Sequence, residues 1–197
     1  MGMPRFEAAV VGNLELVWLI PLALVGTVCG WLYFVSEHAS EALSHAIGER
    51  PVVKAMLAGL ALAICGTVLP YTMFAGETQA DVLMETYLTI PAGVLIATGL
   101  VKAMLTPALI NLGWRGGHFF PVIFSGVSLG YGLAILTGAD PVFCVAVCTA
   151  STMGAVMRQP IMVVGLLLMC FPLKGIVCMI IAAVIAAGIP LPKPLRK

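Results

Sequence analysis

The chain is 197 residues long and 61% hydrophobic, and it carries ten Lys and Arg against nine Asp and Glu, for a formal charge of +1. A mean hydropathy of +1.09 excludes an ordinary soluble domain and places the chain in lipid. The balanced charge offers no polybasic surface, which excludes nucleic acid as a partner. At about 20 apolar residues per spanning helix, the length allows roughly five to seven hydrophobic segments. The fold class is therefore an all-α multi-pass membrane protein.

Residues 1–13 read as an N-terminal tail bearing Arg5 and Glu7. The opening Met-Gly is no myristoylation signal, because Phe6 stands where Ser or Thr is required. The uncharged run 16–36 is longer than the roughly 7 to 15 residues of a signal-peptide core, and predicts a retained membrane helix bent near Pro21. Residues 36–51 then gather Glu37, His38, Glu41, His45, Glu49 and Arg50 before Pro51, and read as a polar connector that the proline halts. His38, Glu41 and His45 would share one helical face. That pattern suits a metal or a proton relay and equally an interfacial helix end whose charges meet water.

A second uncharged run, residues 55–76, predicts another span. Glu77, Asp81 and Glu85 follow at four-residue spacing, as in a loop or short interfacial helix with a solvated acidic face. From residue 86 to 192 the charged residues are Lys102, Arg115, Asp140, Arg158 and Lys174. Breaks at Pro91, Pro107, residues 113–121, Pro160 and Pro172 predict helices that stop inside the membrane or cross it obliquely. Broken backbone survives in lipid only where protein or a water-filled cavity satisfies it, and in transporters it lines the substrate site. The six cysteines, Cys29, Cys65, Cys144, Cys148, Cys170 and Cys178, all lie in apolar runs, where a thiol packs as a small hydrophobe. Lys193, Arg196 and Lys197 follow the last apolar run, 175–192, and the excess of cations there places the C-terminus in the cytoplasm of a cell-membrane protein.

The most informative segment is NLGWRGGHFFPVIFSGVSLGYG, residues 111–132. A glycine-rich basic turn leads into a proline suited to the first turn of a helix. Gly117, His118, Phe119 and Phe120 would then present backbone N–H groups at the positive end of the helix dipole, which is an anion site. The glycines let backbone approach the ion. Arg115 reads either as a charge in the vestibule or as a snorkelling helix-end residue. His118 reads either as a proton-transfer group or as a residue that offers its N–H while its ring packs. Gly126 and Gly130, like Gly26 and Gly30, have the spacing that lets helices approach closely.

Gly117-His118-Phe119-Phe120-Pro121 resembles the GxFxP motif of the CLC family of chloride channels and proton-coupled chloride transporters. Three further features extend the likeness: the lysine-bearing GLVKAMLTPAL containing Lys102, Gly126 and Gly130 after the motif, and the helix start at Met157-Arg158-Gln159-Pro160. The resemblance runs from about Leu14 to the C-terminus and implies the second of two inverted-topology repeats, a CLC-like half with tilted and re-entrant helices. It implies chloride contacts to the backbone N–H groups of His118 and Phe119, in a loop shaped by Gly116, Gly117, Phe120 and Pro121. The family's gating glutamate and its serine loop do not occur in this sequence. Gly188-Ile189-Pro190 has only the end letters of the serine loop, and in KPLRK Arg196 stands where the family has a tyrosine.

These readings assign residues 14–192 to one CLC-like transmembrane domain and 193–197 to a basic C-terminal tail. The expected function is transport of chloride or a similar anion, incomplete without an N-terminal half that carries the missing motifs. The alternative is a non-conducting membrane interaction subunit that keeps the half-fold. No enzymatic activity, catalytic residue, metal or cofactor is expected, with chloride as the transported ligand. The expected partners are the lipid bilayer and a second copy, a separate N-terminal half, or both, with the helix from Pro160 and the last apolar run at the dimer interface.

Overall fold

A computed structural model describes residues 5–73 and 75–192. The described residues form eight α-helices: α1 Asn13–Ile47, α2 Pro51–Val68, α3 Glu77–Thr86, α4 Ala92–Asn111, α5 Phe119–Thr137, α6 Pro141–Met157, α7 Pro160–Leu167 and α8 Ile176–Gly188. Of these, α1, α2, α4 and α5 are long and apolar enough to cross a membrane, while α6 and α8 are apolar but shorter. The all-helical class expected from composition holds, since in lipid only helices and closed barrels satisfy every backbone group.

Two boundaries differ from expectation. Residues 37–47 are no separate connector but the last three turns of α1, which runs unbroken past Pro21 for 35 residues. At 1.5 Å per residue that is roughly 52 Å, well beyond the ~30 Å hydrocarbon core, so the Glu37 to His45 turns lie where charge meets water. The stop is Gly48, with φ +70°, and Pro51 opens α2 at the first position, where a missing N–H costs nothing. Likewise Pro107 sits inside α4 without ending it. Pro91 and Pro160, by contrast, do mark helix starts.

The helices pack around α6. Every residue from 143 to 155 is buried, and α1, α5, α7 and α8 surround it. Its side chains are mostly Ala, Val, Cys, Ser and Thr, the small residues that let backbones approach where no hydrophobic effect drives association. Both glycine pairs act here. A Cβ on Gly126 or Gly130 of α5 would overlap the backbone at Thr149 or Val145, and one on Gly26 or Gly30 of α1 would overlap Ser151 or Ala155. Hydroxyls tie these close surfaces together: Thr152 donates to the Gly26 carbonyl at 3.1 Å and, beyond α6, Ser128 donates to the Leu95 carbonyl of α4 at 2.7 Å. Five cysteines are buried, Cys65 is half-buried, and all six thiols are free, as the packing reading expects.

Residues 5–12, assigned to a tail by the sequence, lie against the bundle. Phe6 stacks on Phe171 with ring centroids 4.4 Å apart, and its N–H donates to the Cys170 carbonyl at 2.9 Å. Glu15 accepts from the N–H groups of Gly12 and Asp140, and Asp140 caps α6 by accepting from Phe143. The start of α1, the α5–α6 corner and the α7–α8 connection therefore share one end of the bundle. Toward the other end, Arg158 leaves α6 in the left-handed region, φ +57°, and donates to the Ala187 and Ile189 carbonyls. Lys193, Arg196 and Lys197, and with them the expected basic tail, lie outside the described residues.

Candidate anion-binding turn

The turn between α4 and α5 begins where Leu112 and Gly113 leave the helix, with Gly113 at φ +95°. Residues 113–117 are exposed and His118 to Pro121 half-buried. His118 is the N-cap of α5, its carbonyl accepting from Val122 at 3.1 Å. Phe119, Phe120 and Pro121 are therefore the first three helical residues, where N–H groups have no partner four residues back. Pro121 has no N–H to leave over, and no carbonyl among the described residues accepts from His118, Phe119 or Phe120. Three backbone donors thus converge at a helix start, where the dipole adds partial positive charge.

The His118 ring is fixed by packing. It stacks on Phe119 at 4.6 Å and meets the edge of Tyr33 of α1 at 6.5 Å. Gly116 and Gly117 have neither a left-handed backbone nor a crowding neighbour. What their missing side chains leave is open space in front of the turn.

That space is a cavity of about 280 Å3 lined by Lys102, Thr106, Trp114, Arg115, Gly116, Gly117 and Pro121, together with apolar residues of α2, α4 and the α2–α3 connection. Among the described residues two cations and no carboxylate line it. On the far side of the turn Phe119 and Phe120 line a smaller apolar cavity of about 140 Å3 with Ile123, Leu166 and Cys170. The structure therefore brings Arg115, Gly116, Gly117 and Pro121 together on the cavity that Lys102 also lines, and puts the two phenylalanines on the smaller apolar one.

Sequence reasoning placed Lys102 only by its likeness to a family helix and gave it no role. It is 4% exposed, and its ammonium donates to the Thr72 carbonyl at 2.7 Å. Thr72 belongs to a 3-10 turn, Pro70–Thr72, that follows α2. Further along, Gly76 packs against Phe124 at a φ of +110°, which excludes any side chain there. The available signal was the charge itself, since a lysine in the middle of an apolar helix is costly in lipid. His38, Glu41 and His45 gain no further ligand: among the described residues no three His, Cys, Asp or Glu side chains are placed to hold a metal ion.

No curated protein sequence matches this chain. Among solved structures, the crystal structure of a CLC-type fluoride/proton antiporter superposes with a TM-score of 0.77 at 20% sequence identity, covering 100% of this chain and 50% of that one. At that identity the likeness shows the fold, a CLC half, and this chain spans half the length of the antiporter. A family profile described as voltage gated chloride channel matches residues 4–190. With nearly the whole chain matched, the protein is a member of the voltage-gated chloride channel family.

Proposed function

We propose that the chain is an anion transport protein that binds chloride or a similar anion at the start of α5, through the backbone N–H groups of His118 and Phe119, with Phe120 as a third donor. The observation that carries this reading is the set of backbone donors at the start of α5, next to a largely apolar cavity that Lys102 and Arg115 help to line. Backbone dipoles suit a transported ion because they attract it without the full charge that would trap it. Arg115, exposed at the cavity mouth, draws anions in, and Gly116, Gly117 and Pro121 shape the approach.

The pathway is completed by a second half-length segment, whether on the same polypeptide, on a separate chain or in another copy of this one. The chain's span of half the antiporter supports this. So does α2, an apolar helix whose one buried residue is Ala58. The protein sits in the cell membrane with its C-terminus in the cytoplasm. Arg5 and Lys174 lie at the end of the bundle where Phe6 meets Phe171, whereas Arg50, Lys54 and Arg158 lie toward the other, and the more cationic end faces inward.

Chloride efflux from liposomes containing only this chain, with and without an imposed proton gradient, tests the proposal. Flux means that copies of the chain assemble a pathway. Chloride binding without flux means that a separate half is required. A folded protein that neither binds nor conducts chloride refutes the anion reading and leaves a membrane interaction subunit.

A further inference from the structure

Resting on the anion reading of the α5 turn, we infer that Lys102 sets the anion affinity of the cavity through its charge, and is more than a strut for the chain above it. Three observations converge on this side chain. It lies in the interior of α4 and is 4% exposed, where an ammonium is expensive unless it is used. It lines the same cavity as Arg115, Gly116, Gly117 and Pro121. Its bond to the Thr72 carbonyl, 2.7 Å long, holds the amine nitrogen in position beside the cavity.

A cavity of about 280 Å3 is about 8 Å across if spherical, and over that distance a unit charge at an effective dielectric constant of 20 changes anion affinity by more than about tenfold. The geometry thus divides the labour. The first turn of α5 supplies directional donors, and Lys102 supplies the field that makes the cavity attractive to any small anion. It acts on the ion across the cavity as a positioning and affinity residue, not as a direct ligand.

The bond to Thr72 also ties the α2–α3 connection to α4, so a strut and a charge must be told apart. Lys102→Gln keeps a donor for the Thr72 carbonyl and removes the charge; Lys102→Met removes both; Lys102→Arg keeps both. Sodium chloride and sodium fluoride are titrated calorimetrically into the full chain and each variant in detergent micelles, with circular dichroism to establish folding. The expected result is affinity at least tenfold weaker in Lys102→Gln and Lys102→Met, and within about threefold of the parent in Lys102→Arg. Parent-like affinity in Lys102→Gln overturns the inference, and if Lys102→Met alone is weakened, the residue is a strut.

Should the Lys102 variants fail to fold, Leu62 of α2, which lines the same cavity, lets the field there be changed without touching Lys102. Leu62→Glu should weaken binding and Leu62→Gln should not; equal affinities overturn the inference. Phe119→Pro separates this inference from the reading beneath it. If that variant loses binding while Lys102→Gln keeps it, the turn stands and the lysine's role falls. If the parent binds neither anion, both fall.

Discussion

Replacing Phe119 with proline removes one backbone donor from the first helical position of α5, where proline itself is well tolerated. A hydrogen bond to a charged partner contributes about 1.5–3 kcal/mol net. The loss of the Phe119 N–H alone should therefore weaken chloride binding by roughly ten- to a hundredfold. The structure adds a second effect. His118 sits at φ −92°, ψ −12°, in the helical region that a residue before proline avoids. The cap must swing toward an extended conformation, which displaces the His118 N–H as well, so the upper part of that range is expected. Phe119→Ala is the control, because it deletes the ring that stacks on His118 but keeps both donors; its affinity should stay within about threefold of the parent. Calorimetric chloride titration of folded protein reads the affinity, and liposome efflux reads the consequence for transport. Unchanged affinity in Phe119→Pro, or equal losses in the proline and alanine variants, would refute the backbone-donor reasoning.

Packing at α6 makes a further prediction: Gly130→Val forces a side chain into the Val145 backbone and should cost at least about 1–3 kcal/mol, whereas Gly165→Ala of α7, which meets nothing within 4 Å, should be neutral or gain up to about 1 kcal/mol. Thermal unfolding in detergent followed by circular dichroism compares the two, and similar melting points would contradict the close α5–α6 contact. Arg158→Ala deletes both hydrogen bonds to the Ala187 and Ile189 carbonyls. It should cost about 1.5–3 kcal/mol and speed amide exchange at residues 186–189; unaltered exchange there would show that these bonds do not hold the end of α8. Elemental analysis of purified protein should find no stoichiometric metal, and a bound metal would restore the His38, Glu41 and His45 reading.

The sequence made much of the candidate site legible because its signals are local. A proline three residues into a helix, two glycines ahead of it and an uncharged run after it specify a helix start whatever surrounds them, and α5 begins at Phe119 accordingly. The glycine pairs likewise announced close helix contacts. Pro107 misled. A proline removes a single backbone bond, and α4 continues through it, as α1 continues through Pro21.

Composition, hydropathy pattern and local motifs were enough to set the solvent, the helical class, the family and the turn. Tertiary structure alone decided which helix is central and what faces the turn. In water an amphipathic stripe tells which face is buried, but lipid is as apolar as a protein core. Hence α6, buried from residue 143 to 155, and α2, with Ala58 as its one buried residue, look alike as apolar strings. For the same reason the cavity could not be read from spacing. Lys102 stands 40 residues from Leu62 and 13 positions before Arg115, and only the packing of α4 against its neighbours brings them around one space.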